Sequence, residues 1–152
     1  MAHNLLPSPV MLFDGKCFFC NAAVNFIIRF ESTPVLRFTS LQSLEGEMLL
    51  EKAKFPVPKG DDVINIGSFI IVDTNCKAHT RFAACLVMFD SMGGIWRLFG
   101  KLCGVLVPPF IGNVFYDLGW KYRYLILGRS SSCILPTQEL KLRLIDENFG
   151  QN

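Results

Sequence analysis

The sequence predicts an α/β (α+β) fold in which a mixed sheet of about four strands carries helices on its faces. Two patterns support this prediction. The first half of the chain alternates short apolar runs with helical periodicity, in the order strand, helix, strand, helix, hairpin. The second half has helical periodicity only, so residues 93–152 are expected to form a helical C-terminal extension of a single domain spanning residues 1–152.

Turn residues delimit the predicted elements. The apolar run 10–13 indicates a buried strand ending at Asp14-Gly15, and apolar residues three and four positions apart predict a helix over 18–30. Further strands are predicted at 35–39, 69–72 and 77–80, the last two forming a hairpin. Further helices are predicted at 41–54, 81–92, 95–103 and 110–127, with a last one after Pro136. Residues 55–67 are expected to form an irregular loop.

Composition restricts the class of protein. Hydrophobic residues make up 51% and charged residues 18%, which suffices for a packed core, and the net charge of +2 argues against a nucleic-acid partner. The longest uncharged stretch, between Lys101 and Asp117, is too short for a bilayer span and is broken by Pro108-Pro109. We interpret it as buried helix and loop, with peripheral membrane contact as the alternative.

The cysteines and the N-terminus bear on the cellular compartment. The first residues lack the basic cluster and apolar run of a secretory signal, so we expect a reducing compartment: the cytoplasm, or an organelle as the alternative. In such a compartment a close cysteine pair is usually redox-active or metal-binding. The six cysteines are Cys17, Cys20, Cys76, Cys85, Cys103 and Cys133.

Cys17 and Cys20 form a Cys-x-x-Cys pair where the first predicted strand leads into a helix. This spacing lets the two sulfurs meet across one turn, and the positive end of the helix stabilises a thiolate on the first cysteine. Lys16 adds a neighbouring positive charge. We therefore predict a dithiol in which Cys17 is the nucleophile and Cys20 resolves the mixed disulfide.

A structural metal site is the alternative for the same pair. Zinc normally takes four ligands, and Cys76 and His79 offer a second pair with a two-residue spacing. A site formed by Cys17, Cys20, Cys76 and His79 thus remains open at this stage. The redox interpretation is preferred, and no metal or cofactor is expected.

The segment Phe13-Asp14-Gly15-Lys16-Cys17-Phe18-Phe19-Cys20-Asn21 resembles the signature of the DCC family of predicted thiol-disulfide oxidoreductases, which is named for an Asp-Cys-Cys triplet. The resemblance implies a thioredoxin-like fold, with Asp14, Cys17 and Cys20 as the functional triplet. It extends over nearly the whole chain, and the matching segments are residues 13–21 (Phe-Asp-Gly-Lys-Cys-Phe-Phe-Cys-Asn), 38–43 (Phe-Thr-Ser-Leu-Gln-Ser), Tyr116-Asp117, Arg123-Tyr124 with Gly128, and 132–137 (Ser-Cys-Ile-Leu-Pro-Thr).

Three residues have both a functional and a structural interpretation. Asp14 either shuttles a proton for Cys20 or caps the turn before the helix. Arg123 either holds the Cys17 thiolate or a substrate carboxylate, or pairs with Asp117 or solvent. Cys133 is either a third thiol near the site or a small buried hydrophobic residue. We expect the three other cysteines to be structural.

The function predicted from these residues is a thiol-disulfide oxidoreductase of the protein-disulfide reductase type. Its substrate would be a disulfide-containing protein or a small-molecule disulfide, and a separate electron donor would regenerate the dithiol. The alternative is a non-catalytic thioredoxin-like interaction module. Such a module would dock a hydrophobic or membrane partner through residues 103–115.

Overall fold

The computed structural model describes residues 6–13, 18–57, 69–127 and 138–145. Strands and helices alternate in the first half of the chain, and helices alone follow the hairpin. The strands are β1 (Val10–Phe13), β2 (Arg37–Ser40), β3 (Phe69–Val72) and β4 (Ala78–Thr80). The helices are α1 (Phe18–Phe30), α2 (Leu44–Lys52), α3 (Arg81–Met92), α4 (Gly94–Leu106), α5 (Pro109–Leu127) and α6 (Gln138–Arg143).

The four strands form one mixed sheet in the order β2-β1-β3-β4. Strand β1 pairs in parallel with β2 and antiparallel with β3, and β3 pairs antiparallel with β4. A parallel pair needs a crossover connection, which α1 supplies between β1 and β2. The predicted mixed sheet and hairpin are confirmed, and the arrangement is that of an α/β thioredoxin-like fold.

Alternating side chains of the sheet bury against helices on both faces, as the two-residue period of a strand requires. Met11, Phe13 and Ile71 pack with residues of α1 and α3 in one apolar cluster. Leu12 and Ile70 lie on the opposite face and pack with Leu50 of α2. The central strand is therefore covered from both sides.

Some predicted boundaries shift for identifiable reasons. β1, α1, β3 and α3 occupy the predicted residues, whereas β2 begins two residues late, at Arg37. Helix α2 begins at Leu44 instead of residue 41, because the hydroxyl of Ser43 caps it by accepting a hydrogen bond from the Gly46 N–H. Helices α4 and α5 both extend beyond the predicted bounds and are separated by Val107 and Pro108.

The uncharged stretch between Lys101 and Asp117 is not the buried helix that the sequence predicts. Helices α4 and α5 approach α3 through glycines: a Cβ at Gly100 would lie 2.8 Å from the Cβ of Phe89, and one at Gly112 would overlap the Phe82 ring. Because the small residues face inward, the bulky apolar residues, Val105 and Phe115 among them, point outward.

No single helix of the described residues combines the length and apolarity of a membrane span. Helix α4 and the first part of α5, up to Gly119, reach that composition only as a pair, and the axis turns by 115° between them.

The C-terminal segment returns to the sheet beside β2. Leu144 forms a parallel bridge with Phe38, and the Ile145 N–H donates a 3.0 Å hydrogen bond to the Phe38 carbonyl. The guanidinium of Arg143 pairs with the carboxylate of Glu31, which follows α1, and these side chains are 12% and 4% exposed. This ion pair ties α6 to the end of α1.

Replacing Arg143 with Ala should lower the free energy of unfolding by about 3 kcal/mol, because it removes the cation paired with a buried carboxylate. Arg97→Ala is the matched control, since Arg97 pairs with Asp90 at 3.4 Å on the exposed surface and its loss should cost less than about 1 kcal/mol. Urea unfolding followed by circular dichroism measures both values. Equal losses in the two variants would contradict the assigned role of the Arg143–Glu31 pair.

Candidate active site

The Cys-x-x-Cys motif joins the central strand to the first helix. Strand β1 ends at the fully buried Phe13, and α1 begins at Phe18, so that Cys20 lies in the first turn of the helix. The unpaired N–H groups and positive dipole at a helix start favour a nearby thiolate. Asp14, Lys16 and Cys17, together with the side chain of Cys20, lie outside the described residues, so their mutual geometry stays a prediction.

Strand register determines what lies on either side of this connection. Phe13 is opposite Ser40 of β2 and Phe69 of β3. The Leu41 N–H donates a 3.0 Å hydrogen bond to the Phe13 carbonyl, which fixes the end of β1 against the β2–α2 turn. The motif is therefore flanked by the residues that follow β2 and by the residue that opens β3.

A hydrogen-bond network that joins two buried hydroxyls, those of Thr39 and Ser43, lies at this edge of the sheet. The Ser43 hydroxyl donates its one hydrogen to the Ser40 carbonyl at 2.8 Å. Ser43 Oγ is therefore the acceptor in its 3.0 Å contact with the Thr39 hydroxyl, which donates. The Gly46 N–H donates to the same oxygen at 3.0 Å. The turn is thus held by its own side chains.

The sequence analysis did not assign these hydroxyls a role. Thr39 and Ser43 were expected only as members of a strand and of a helix, and they lie with Ser40 in a segment that matches the family resemblance. The available signal was Ser43 three residues before Gly46, the spacing at which an N-cap side chain accepts from the third helical N–H.

A groove of about 680 Å³ runs along β4 beside α5, and its lining residues include Lys77 and His79 as well as Thr80, Pro109 and Asn113. Thr80 is opposite Ile70, and Ile70 is opposite Leu12. The groove therefore lies two strands from β1, or about 10 Å.

Cys76 lies in the hairpin turn, whereas His79 lies within β4, opposite Ile71. Val72 is opposite Val10, so the turn that contains Cys76 follows at the edge where β1 begins, away from α1. His79 Nε2 lies 2.9 Å from Asp73 Oδ2. The turn thus holds Cys76 away from the start of α1, and His79 is paired with Asp73 within the hairpin, which argues against the four-ligand metal alternative.

The electrostatics of Asp73 in the hairpin and of Cys85 on α3 are consistent with structural roles. Partial burial acts to raise the pKa of Asp73, but hydrogen bonds from His79 and from the Lys77 and Asn75 N–H groups lower it overall. Burial raises the pKa of the Cys85 thiol to about 11, which makes it a poor nucleophile near neutral pH.

The accessory candidates are located only in part. Arg123 lies on α5, but its side chain is outside the described residues, as is all of Cys133. Asp117, the partner considered for Arg123, has an Oδ2 atom 3.6 Å from Arg81 Nη1.

Comparison with known proteins gives consistent matches. Residues 11–129 match a model of the family described as DCC1-like thiol-disulfide oxidoreductase. The chain is 34% identical over 145 residues to the uncharacterized protein YuxK of Bacillus subtilis (strain 168), covering 95% of this chain and 99% of that protein. It is 32% identical over 130 residues to the chloroplastic DCC family protein At1g52590 of Arabidopsis thaliana, covering 84% and 69%. No solved structure matches.

Replacing Gly46 with Ala should lower the free energy of unfolding by about 2 kcal/mol, because the added methyl group would overlap the Ser40 carbonyl oxygen. Gly119→Ala is the matched control. Nothing lies within 4 Å of its added Cβ, so helix propensity alone should raise stability by up to about 1 kcal/mol. Chemical denaturation of both variants tests this difference, and a stabilised Gly46→Ala protein would contradict the close approach.

Proposed function

The chain belongs to the DCC1-like thiol-disulfide oxidoreductase family, and from that starting point we propose that it is an enzyme that reduces disulfides with a dithiol formed by Cys17 and Cys20. Family membership supports a general redox role. The observation that carries the finer proposal is the position of the motif. Only residues 14–17 separate the end of β1 from the start of α1, so the motif opens the helix that follows a fully buried strand.

The proposed reaction transfers two electrons by thiol-disulfide exchange. The Cys17 thiolate attacks one sulfur of the substrate disulfide, which forms a mixed disulfide and releases the other sulfur as a thiolate that takes up a proton. The Cys20 thiol then loses its proton and attacks the Cys17 sulfur, which releases the second substrate thiol. The substrate gains two electrons and two protons, and the enzyme is left with a Cys17–Cys20 disulfide.

The order of attack follows from the positions of the two cysteines. Cys17 precedes the helix and adjoins Lys16, so both the dipole and the side-chain charge favour its thiolate. Cys20 is the third residue of α1, within its first turn, which is the position proposed for the resolving thiol. Cys85, with its pKa raised to about 11 by burial, is a poor competitor for the first attack.

Residues around the dithiol have supporting roles in this proposal. Asp14 accepts the proton of Cys20 during resolution, since the second step needs a thiolate. Lys16 stabilises the Cys17 thiolate, and Arg123 binds that thiolate or a substrate carboxylate. Cys133 is a third thiol that can also release the mixed disulfide.

The substrate is proposed to be a disulfide-containing protein or a small-molecule disulfide. A second thiol compound or protein must act as electron donor, because each turnover leaves the dithiol oxidised. No cofactor is required by this chemistry. Such a cycle suits a reducing compartment such as the cytoplasm.

A Cys20→Ser variant should accumulate a covalent mixed disulfide through Cys17, because the first attack survives and the resolving thiol is gone. Cys17→Ser should trap nothing. Incubation with a disulfide-linked peptide, followed by non-reducing gels and peptide mass spectrometry, identifies the sulfur that is joined.

The same trap is run with Cys133→Ser added, since a third thiol would otherwise release the complex. Trapping through Cys20 in the Cys17→Ser protein would reverse the assigned roles. Absence of trapping in every variant would favour the non-catalytic interaction module.

A further inference from the structure

The outward faces of α4 and α5 form an apolar surface that no described part of the chain covers, here called the α4–α5 surface. On α4 the exposed apolar residues follow helical spacing, and Val105 is 85% and Leu106 67% exposed. The spacing continues along α5. The residues of this surface are Ile95, Leu98, Leu102, Val105, Leu106, Phe110, Ile111, Val114, Phe115, Leu118, Tyr122 and Leu125.

This distribution inverts that of an ordinary surface helix, which turns its apolar stripe inward. Gly100 and Gly104 face Phe89 and Leu86 of α3, so the bulky side chains of α4 are left outside. Contiguous exposed apolar surface of this kind marks an interaction site in a folded protein.

The charges around the α4–α5 surface are basic. Lys101 and Lys121 are exposed on α4 and α5, and Arg97, four residues before Lys101, is an exposed cation that also pairs with Asp90 at 3.4 Å. No acidic residue occurs between Asp90 and Asp117 in the sequence, and Asp117 lies beside Arg81. The combination of apolar side chains with basic neighbours is complementary to acyl chains with anionic headgroups. A second copy of the chain is a less suitable partner, because its residues 91–116 contain no acidic side chain that could pair with these cations.

Helix geometry favours the membrane interface over a span. The two helices reach the apolarity of a membrane segment only together, and the 115° turn between them prevents a straight crossing. We propose that the α4–α5 surface attaches the protein peripherally to an anionic bilayer, with its apolar residues at the boundary between headgroups and acyl chains.

Membrane attachment is independent of the proposed redox function. If both proposals hold, however, attachment determines which disulfides the enzyme can reach. Pro109, the first residue of α5, lines the same groove as β4, whose last residue Thr80 lies at the edge of the sheet where β1 ends. Attachment would therefore hold the dithiol edge near the bilayer, where membrane-associated disulfides are the accessible substrates. This consequence alone rests on the redox proposal.

Vesicle flotation of the full chain tests the attachment. We expect binding to phosphatidylcholine vesicles that contain about one third phosphatidylglycerol, and weaker binding to phosphatidylcholine alone. Leu106→Asp should weaken binding roughly tenfold, because it replaces an apolar contact with a charge. Leu44→Asp is the matched control, because the exposed fraction of Leu44, 69%, is similar to that of Leu106. Leu44 lies on α2, outside the α4–α5 surface, so this variant should bind vesicles like the parent protein.

A second pair of variants tests the charges. Arg97→Gln with Lys101→Gln should weaken binding to anionic vesicles by roughly fivefold for each charge and leave binding to neutral vesicles unchanged. Circular dichroism and thermal unfolding establish that each variant is folded, and Val105→Asp replaces Leu106→Asp if the latter is not. The Cys20→Ser protein should bind like the parent, so a failed redox cycle and a failed attachment are distinguishable.

Three results would overturn the attachment. Absence of binding to either vesicle would do so, as would an equal loss in the Leu44→Asp control. Sedimentation analysis that reveals a dimer dissociated by Leu106→Asp, without vesicle binding, would assign the α4–α5 surface to a second copy of the chain.

Discussion

The burial of β1 is the constraint on which the rest of the structure depends. Met11, Leu12 and Phe13 are fully buried, with helices on both faces and paired strands on both edges. A strand held in this way cannot shift along its axis without exposing apolar side chains and breaking hydrogen bonds to two neighbours. Its end at Phe13 is therefore a fixed point, and the residues that follow start from a defined position.

The fixed end of β1 gives the Cys-x-x-Cys motif of the candidate site a defined starting position. Exchange between thiols needs sulfur atoms held within reach of each other, at a helix start that favours the thiolate. The Leu41 N–H secures Phe13 from one side, while Val24 and Ile27 anchor α1 in the core. The buried hydroxyls of Thr39 and Ser43 stiffen the neighbouring turn without introducing a charge.

Sequence patterns predicted the helices and strands that local signals define. They did not predict every boundary, nor which side of each helix is buried. The bounds of β1, α1, β3 and α3 were predictable because apolar runs, helical spacing and turn residues coincide there. The predicted start of α2 was wrong because residues 41–43 form a turn, in which the Leu41 N–H donates a hydrogen bond to the Phe13 carbonyl of β1. Periodicity also cannot tell which side of a helix is buried, so the glycine face of α4 was overlooked. Of the candidate site, the structure describes the frame, while Asp14 and Cys17 remain sequence-based assignments.

The central claim is that Cys17 and Cys20 are a redox-active pair. Disulfide mapping by peptide mass spectrometry, on protein oxidised with a mild disulfide and then reduced again, tests it most directly. One bridge between Cys17 and Cys20 should form and open reversibly, while Cys85 and Cys103 remain thiols throughout. A bridge that joins either motif cysteine to another residue, or a motif that stays reduced under conditions that oxidise free thiols, would contradict it.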